Sequence, residues 1–425
     1  MKSWMVFYIS MLRQKNFSGD KQKGLYMNIV NFNNASDNLI IDCFAGGGGA
    51  SIGIEMATGR EVDIAINHDP GAIKMHMVNH PNTLHLTEDI FKVDLAKYVN
   101  GRHVALLWAS PCCQHFSKAR GGVPLSNQLR ILPWSVYKHS KTIKPDVIIM
   151  ENVPEIQTWG PLDENGQPIK DRLGEEYNRF IDAMKSIGYE VDSRELVAAD
   201  YGAPTIRKRW FAIFRRDGKP IVWPKATFSE TGEDGKLKWI SAASVINCKN
   251  IGTSIYARKK PLADKTINRI NRGVDKFVRN NSTPYITETI DSVTQKKIKV
   301  AQFIMEYYGQ GIGSDLNSPL HTIVTKDRFA LISVALERGE VKDIFLRMLN
   351  PEELKAAQGF PEDYVINRDI NWRPITAKDQ VLRIGNSVVP IMAKVIVEAN
   401  LPELKGIRKP NINVKEMQNG QFAFA

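Results

Sequence analysis

Short apolar runs alternate with amphipathic stretches through the first half of the chain. The first run, Asn38–Phe44, predicts a buried strand; a glycine-rich turn at Gly46–Gly49 follows it, and Ile52–Ala57 then has helical spacing. Further strands are predicted where similar runs recur, at Val62–Ile66, His103–Trp108, Val147–Met150 and Phe211–Phe214. Helices are predicted between them, at Pro70–Val78, Leu125–Lys141 and Glu175–Ile187. This alternation predicts an α/β fold with a mainly parallel sheet and helices on both faces.

The pattern changes between about Lys219 and about Asp343. This stretch is irregular, with many Lys and Arg residues and scattered Gly, Pro, Asn and Thr. Within it, Leu262–Val278 carries apolar residues at helical spacing beside basic ones, namely Ile267, Ile270, Val274 and Phe277 with Lys265, Arg269, Arg272 and Lys276. The segment predicts an amphipathic basic helix. Regular order returns at Phe345–Gln358 and near Val381–Ala399.

The chain carries an excess of positive charge. Its 425 residues have a formal net charge of +11 and a pI of about 9.3. That excess favours a polyanionic partner such as nucleic acid, with simple solubility as the alternative explanation. The length allows one large domain and a smaller one. No apolar run approaches the roughly 20 residues that span a bilayer, so we expect no membrane association.

The chain has four cysteines: Cys43, Cys112, Cys113 and Cys248. Two of them are adjacent, which indicates neither a disulfide framework nor a zinc site, and we expect no metal. A reducing, cytoplasmic setting with at least one reactive thiol fits this usage better. Residues 1–36 are interpreted as a peripheral extension, because the apolar stretch in Met1–Leu12 is short and no cleavage site follows it. Met27 is a possible true start.

Two polar motifs follow predicted strands directly. Asp42–Gly49 has the form DxFxGxGG and not GxGxxG, which is typical of S-adenosylmethionine sites, with a simple tight turn as the alternative. Ala109–Ser117 places two adjacent cysteines in a polar loop close to Lys118 and Arg120. A thiolate nucleophile needs such an exposed, electropositive setting. Two buried structural cysteines are the alternative.

A third motif, Glu151–Pro154, follows the predicted strand Val147–Met150. An acid in a cleft at the end of a strand can donate a proton to a ring nitrogen, although it can also simply cap the next helix. Because α/β enzymes place their chemistry at the carboxyl ends of parallel strands, this acid is expected at the active edge of the sheet.

Together with three later motifs, these residues resemble the C5-cytosine-specific DNA methyltransferase family of bacteria and phages. The resemblance runs through nearly all of Asn38–Ala399, in the family's order: Asp42–Gly49, Pro111–Ser117, Glu151–Val153, Thr205–Arg209, Arg347–Pro361 and Gly385–Pro390. It implies a Rossmann-like, S-adenosylmethionine-dependent methyltransferase fold with a second, smaller target-recognition domain, and DNA in the cleft between them.

The sequence departs from the family pattern at three places. Cys112 replaces the usual proline before the nucleophile; Gln114, Phe116 and Ser117 then align with the family when Cys113 is the nucleophile. Thr205 replaces the usual glutamine before two arginines. Asn67 aligns with the acid that usually holds the cofactor ribose, and Asp69 is a possible substitute for its charge.

The resemblance implies roles for particular residues. The catalytic set is Cys113, Glu151, Arg207 and Arg209: a nucleophile for cytosine carbon 6, a partner for ring nitrogen N3, and two arginines for the ring carbonyl. The S-adenosylmethionine pocket is expected from Phe44, Gly46, Gly48, Asn67, Asp89, Ile90, Asn386 and Ser387. For Asn386 and Ser387, an ordinary helix N-cap is the alternative.

We expect five parts along the chain: an extension (1–36), a catalytic and cofactor domain (37–218), a target-recognition domain (219–343), a segment completing the catalytic domain (344–400) and a tail (401–425). The basic helix and Pro319–Phe329 are candidate DNA contacts.

The expected function is that of a monomeric cytoplasmic DNA (cytosine-5-)-methyltransferase acting on a flipped-out cytosine in double-stranded DNA. A cognate restriction endonuclease is a possible partner. A tRNA cytosine-5 methyltransferase and a catalytically silent DNA-binding module of the same fold are the alternatives.

Overall fold

The larger of the two main sheets has seven strands in the order β3-β2-β1-β4-β5-β7-β6. The computed structural model describes residues 38–112, 130–290, 295, 297–307, 311–406, 414–416 and 422–424. The strands are β1 (Leu39–Cys43), β2 (Ile64–Ile66), β3 (Leu84–Leu86), β4 (Val104–Ala109), β5 (Val147–Asn152), β6 (Glu190–Val197) and β7 (Lys208–Arg215). Strands β1 to β5 are parallel, and β7 is antiparallel to both β5 and β6. The predicted, mainly parallel sheet is confirmed.

Helices cover both faces of this sheet. They are α1 (Gly49–Thr58), α2 (Pro70–Asn79), α3 (Leu95–Val99), α4 (Leu132–Ile143), α5 (Glu175–Ser186), α7 (Pro351–Ala357), α8 (Ala377–Asn386) and α9 (Pro390–Asn400). Helix α6 (Asp264–Val274) lies outside this sheet and belongs to the second sheet described below. On β4, Leu106 and Leu107 are both fully buried but lie in different apolar clusters, one on each face. A strand covered on both sides reads as a continuous apolar run, which is why the sequence predicts β1, β2, β4, β5 and β7. The short β3 and the largely exposed β6 are not predicted.

A late helix, α9, packs against the first helix, α1. A Cβ atom at Gly53 would overlap the Pro390 carbonyl, so glycine allows the two helices to approach closely. The segment Ala377–Asn400 is long and apolar enough by composition to cross a membrane, but its most apolar window is 61% buried in the protein. It is also broken into α8 and α9, so it is a pair of core helices.

The stretch described above as irregular contains most of a second sheet, which corrects that interpretation. Its order is β10-β15-β14-β12-β11, with β13 beside β12, and all its pairs are antiparallel. The strands are β10 (Thr253–Ser254), β11 (Tyr285–Ile290), β12 (Lys297–Glu306), β13 (Ser314–Asp315), β14 (Phe329–Glu337) and β15 (Glu340–Met348). Charged residues on the exposed strand ends and loops dominate the composition and mask this order. Strand β15 continues through residue 343.

The predicted basic helix is present as α6 (Asp264–Val274), continued by one wide turn at Asp275–Arg279. Its apolar face is buried, as the spacing predicts, with Ile270, Val274 and Phe277 all under 8% exposed. Together with β10–β15, α6 forms what we call the second lobe. Short pairs β8 (Phe228–Ser229) with β9 (Leu237–Lys238), and β16 (Val414–Glu416) with β17 (Phe422–Phe424), complete the described strands.

A shared apolar cluster joins the second lobe to the catalytic part. It contains Ile304 and Leu331 from the second lobe beside Met75 and Ile384 from the helices. A Cβ atom at Gly385 would overlap the Val324 backbone, so the two parts also touch closely at the end of α8. Their relative placement is therefore fixed by core packing.

The structure details three predicted stretches. Helix α4 covers the second part of the helix predicted at Leu125–Lys141, and the start of that prediction, residues 125–129, lies outside the described residues. The regular stretch Phe345–Gln358 is the end of β15 followed by α7, because Asn350 forms a capping box with Glu353. The stretch Val381–Ala399 is two helices that break at Ser387–Val389.

Candidate active site

Strands β1, β4 and β5 end side by side at one edge of the large sheet. Cys43 lies opposite Ala109, and Ala109 lies opposite Met150 in the parallel register. The chain therefore leaves all three strands at the same edge of the sheet. The residues at these exits are Phe44 after β1, Ser110 after β4 and Glu151 at the end of β5. The three motifs that the sequence analysis singled out meet at this edge, which we call the catalytic edge.

Asn152 anchors the start of the cysteine loop, the loop after β4 that carries Cys112 and Cys113, to strand β5. Its buried side-chain amide donates to the Pro111 carbonyl at 3.0 Å, and its own oxygen accepts from the Val153 amide at 2.9 Å. The Ser110 amide donates to the Cys43 carbonyl at 3.3 Å, which links the loop to β1 as well. Cys112 is half-buried there. Cys113 is the next residue and lies outside the described residues.

Glu151, which is buried, and Arg209, which is partly buried, form an ion pair at the same edge. The Arg209 Nε atom lies 3.1 Å from Glu151 Oε1, and the Glu151 residue is 7% exposed. The two atoms are not aligned as a hydrogen bond. Arg209 Nη1 instead donates to the Lys208 carbonyl at 2.7 Å. A carboxylate and a guanidinium held this way present acceptor and donor groups to a planar polar ring.

Arg207 points to a different neighbour. It is 3% exposed, and its Nη1 donates to the Ile323 carbonyl at 3.0 Å. Thr205 forms an isolated parallel bridge with Leu320, and the Ile206 amide donates to the Leu320 carbonyl at 2.9 Å. The structure therefore brings Arg209 to Glu151 and places Arg207 against the loop between β13 and β14 of the second lobe.

The glycine-rich turn has backbone conformations that favour glycine. Phe44, Gly46 and Gly48 have φ of 68°, 52° and 88°, and the Ala45 amide donates to the Ile66 carbonyl at 2.9 Å. A Cβ atom at Gly46 would meet only the Phe44 carbonyl, at 3.7 Å. The turn thus has an open side where a ligand can approach the backbone, which fits a bound cofactor. The Cβ side of Gly48 is filled by the Tyr364 hydroxyl.

Asp42 closes the base of this turn. Its Oδ2 accepts from the Ser51 hydroxyl at 2.7 Å, which connects β1 to the first turn of α1 across the loop. Burial raises the pKa of Asp42 to about 7, against the lowering effect of the Ser51 hydrogen bonds. This carboxyl therefore titrates near neutral pH.

The other predicted cofactor residues of the first domain follow β2 and β3. Asn67 is half-buried, and its side-chain oxygen accepts from the Asp69 amide at 2.8 Å. Asp69 itself caps α2 by accepting from the Gly71 amide at 2.8 Å, so its carboxylate already has a structural partner. Asp89 is exposed, and the buried Ile90 offers its carbonyl to the His139 ring at 2.7 Å.

Asn386 and Ser387 end α8 beside the glycine turn. Asn386 is exposed, whereas Ser387 is buried and its hydroxyl donates to the Arg383 carbonyl at 2.7 Å. A Cβ atom at Gly47 would lie 3.0 Å from the Ser387 hydroxyl, so this residue packs on the turn. The N-cap alternative is wrong, because the N-cap of α9 is Val389 and makes no side-chain cap bond.

The structure also contains two polar groupings that the sequence analysis missed. His76, His80 and Tyr364 lie behind the glycine turn, with the His76 and His80 rings 4.4 Å apart. The spacing of two histidines by four residues on α2 was an available signal. Among the described residues, no group of three or more His, Cys, Asp or Glu could hold a metal ion.

The second missed grouping lies at the junction with the second lobe. Glu306 ends β12 at 2% exposure, and its carboxylate lies 2.6 Å from Nδ1 of the partly exposed His321. His321 belongs to Pro319–Phe329, the predicted DNA-contacting segment, but nothing in the sequence indicates its pairing with Glu306.

Comparison with known proteins agrees with this geometry. The family model of C-5 cytosine-specific DNA methylases matches residues 39–401. The chain is 26% identical over 377 residues to the Type II methyltransferase M1.HphI of Haemophilus parahaemolyticus, covering 85% of this chain and 86% of that protein. It is 24% identical over 405 residues to M.DdeI of Desulfomicrobium norvegicum, covering 90% and 94%.

Two solved structures share the fold. The S. pombe Dnmt2 methyltransferase aligns with a TM-score of 0.54 at 14% identity, covering 86% of this chain and 99% of that chain. A DNA modification methyltransferase encoded within an E. coli prophage aligns with a TM-score of 0.52 at 20% identity over the same shares. With the family model matching most of its length, the chain belongs to the C-5 cytosine-specific DNA methylase family and is a DNA (cytosine-5-)-methyltransferase.

Proposed function

We propose that this protein transfers a methyl group from S-adenosylmethionine to carbon 5 of a cytosine flipped out of double-stranded DNA, with Cys113 as the nucleophile. The observation that carries the proposal is the largely buried Glu151–Arg209 pair, at 3.1 Å, beside the anchored start of the loop that carries Cys112 and Cys113. A base inside the double helix cannot reach a largely buried pair of this kind, so the target must leave the stack.

The chemistry explains the need for a cysteine. Carbon 5 of cytosine is too weak a nucleophile to react unaided. The Cys113 thiolate forms a bond to carbon 6, and the electron pair of the 5,6 double bond then makes carbon 5 nucleophilic. The bound cofactor supplies an electrophilic methyl group. Loss of the carbon 5 proton to water and departure of the thiolate restore the aromatic ring.

Glu151 and Arg209 act on the charge that develops in the ring. Glu151 holds N3 and the exocyclic amino group, and Arg209 donates to the ring carbonyl, so both groups stabilise the adduct more than the free base. Their burial strengthens these interactions relative to water. Arg207 would act indirectly, by holding the loop between β13 and β14 through the Ile323 carbonyl.

Asn152 positions the nucleophile. Because its amide holds the Pro111 carbonyl, two residues before Cys113, the loop leaves the sheet in a fixed direction. Fixed orientation of reacting groups is a large part of enzymatic rate enhancement.

The pocket for S-adenosylmethionine is assigned to the open side of the glycine turn. Phe44, Gly46 and Gly48 would form its floor, and Asn67, Asp89 and Ile90 would line it from the ends of β2 and β3. Asn386 and Ser387 would close it from α8. The positive φ values of the turn and the open side of Gly46 support this assignment.

The second lobe is assigned to DNA recognition. Its basic helix α6 and the segment Pro319–Phe329 would contact the backbone and base edges. Since the named relatives are Type II methyltransferases, a cognate restriction endonuclease is the proposed partner in a restriction–modification system. We place the enzyme in the cytoplasm as a monomer.

Methyl transfer from labelled S-adenosylmethionine tests the proposal. Unmethylated DNA and tRNA serve as parallel substrates, and the product base is identified by mass spectrometry. We expect 5-methylcytosine in DNA alone. Label in tRNA alone would show that the substrate is wrong, and label in neither would favour the silent DNA-binding module.

Cys113→Ser and Cys112→Ser are the matched variants. Both remove one thiol from the same loop, so they differ only in which sulfur is lost. Cys113→Ser should abolish methyl transfer, and Cys112→Ser should retain it. The reverse result would move the nucleophile by one residue.

A further inference from the structure

Tyr364 reaches the glycine turn from a distant part of the chain. Its hydroxyl donates to the Gly47 carbonyl at 2.7 Å, although 317 residues separate the two. It occupies the place where a Cβ atom at Gly48 would lie, so Gly48 and Tyr364 are fitted to each other. Burial raises the pKa of Tyr364, which keeps the hydroxyl protonated and able to donate.

Two histidines of α2 stand behind this contact. His80 Nε2 lies 3.4 Å from the Tyr364 hydroxyl, and its Nδ1 lies 3.2 Å from the Glu55 carboxylate on α1. Both His80 and His76 are completely buried. The tyrosine hydroxyl therefore contacts His80 as well as the turn, and Glu55 holds the other side of the His80 ring.

The second histidine joins the turn from its other side. His76 Nε2 lies 3.0 Å from the Ser51 hydroxyl, which donates to Asp42 at 2.7 Å. His76 Nδ1 lies 2.8 Å from His85 on β3. The turn is thus braced at Asp42, where it begins, and at Gly47, where its backbone bends.

We propose that Tyr364, backed by His80, is a positioning residue that sets the affinity for S-adenosylmethionine by holding the Gly47 carbonyl and with it the glycine turn. The inference rests on the proposed function, because it assigns the cofactor to this turn. Buried carbonyl groups need a partner, so loss of the hydroxyl would allow the turn to leave its binding conformation. Affinity falls in proportion to the fraction of molecules that keep that conformation.

Calorimetric titration with S-adenosylhomocysteine, without DNA, tests the inference. For Tyr364→Phe we expect the dissociation constant to rise roughly 5- to 20-fold. At saturating cofactor, kcat should stay within about twofold of wild type, because bound cofactor holds the turn in its binding conformation and the Glu151–Arg209 pair is unchanged. His80→Gln should raise the dissociation constant by a smaller factor in the same direction.

Tyr189→Phe is the matched control. Tyr189 is also buried and donates to a backbone carbonyl at 2.7 Å, that of Pro145, at the opposite end of β5. This variant should lose comparable stability and keep wild-type affinity for S-adenosylhomocysteine. If Tyr364 had a purely structural role, the two tyrosine variants would have the same dissociation constant for S-adenosylhomocysteine.

Hydrogen exchange of the ligand-free protein gives a second readout. The Gly48 amide, which donates to the Ala45 carbonyl at 2.9 Å, should exchange faster in Tyr364→Phe than in Tyr189→Phe. Equal affinity and equal exchange in Tyr364→Phe and wild type would overturn this inference alone. Wild-type protein that binds no S-adenosylhomocysteine would overturn the cofactor assignment and the inference with it.

Discussion

The catalytic edge and the second lobe use polar residues in opposite ways. At the edge, polar side chains are buried and paired, as Glu151 is with Arg209 and Asn152 with Pro111. In the second lobe, the buried residues are mostly apolar, and charged residues such as Lys265 and Lys276 lie outside. Groups that perform chemistry must be fixed, whereas groups that read a DNA sequence can be exchanged without disturbing a core.

Arg209→Lys should have the largest effect, because a lysine keeps the charge but not the planar fork of donors. We expect kcat to fall about 10²- to 10³-fold, with cofactor affinity unchanged. Arg194→Lys is the control, since Arg194 is half-exposed on the neighbouring strand β6. Methylation kinetics at saturating DNA measure both. Similar losses in both variants would remove the special role of Arg209.

Asn152→Ala should follow in size. It releases the Pro111 carbonyl and leaves the cysteine loop free to move, so we expect kcat to fall roughly 10- to 100-fold. Asn400→Ala is the matched control, because the buried Asn400 amide also donates to a backbone carbonyl, that of Val222, at 2.8 Å. Both variants should lose similar stability in urea unfolding, and only Asn152→Ala should lose kcat. A full rate in Asn152→Ala would contradict the positioning role.

A packing change in the second lobe should affect stability and leave cofactor binding alone. A Cβ atom at Gly273 of α6 would overlap the buried Phe303 ring, so Gly273→Ala should destabilise the protein by about 1–3 kcal/mol. Urea unfolding measures the loss. Phe303→Leu removes the overlapping ring atoms. In that background, Gly273→Ala should lower the free energy of unfolding much less than it does in wild type. Two losses that simply add would show that the contact is absent.

The free energy of unfolding should depend on pH through the Asp42 carboxyl, which lies on β1 beside the catalytic edge. Its pKa is about 7 in the folded protein against 3.8 as the ordinary value. The stability linked to this group is therefore complete below pH 3.8 and is lost as the pH rises through 7. From pH 6 to 8 we expect wild type to lose about 1 kcal/mol more than Asp42→Asn. Parallel pH profiles of the two proteins would contradict it.

Surface lysines of the second lobe should have the smallest individual effects. Lys265→Gln and Lys276→Gln should each weaken DNA binding a few-fold and lower the slope of log affinity against log salt by about 1 per lost phosphate contact. Lys185→Gln, an exposed lysine at the end of α5, should change neither quantity. If the slope of log affinity against log salt is unchanged in the two α6 variants, DNA does not bind along α6.

The catalytic edge was largely predictable, because its parts are local. Each of β1, β4 and β5 is a buried apolar run that ends in a polar motif, and parallel strands bring such ends together. The second sheet was not predictable in the same way. Its strands pair antiparallel across segments rich in charge. In β11 the exposed positions include Ile286 and Ile290 while the partly buried ones include Thr287, so the sequence shows no apolar alternation there.

Within the site, the unpredictable features depend on contacts between distant segments. Nothing near Tyr364 in the sequence indicates that it meets Gly47, and Arg207 shares a motif with Arg209 yet contacts Ile323. A motif fixes which residue types are available; the packing of the second lobe against the large sheet decides which of them face the substrate.

A trapping measurement tests covalent catalysis by Cys113 most directly. In DNA carrying 5-fluorocytosine, fluorine replaces the carbon 5 proton that must leave, so the cysteine adduct should persist after methyl transfer. Proteolysis and mass spectrometry should then find the modified base on Cys113. Methylation of ordinary cytosine without any trapped adduct, or an adduct on Cys112, would contradict the account.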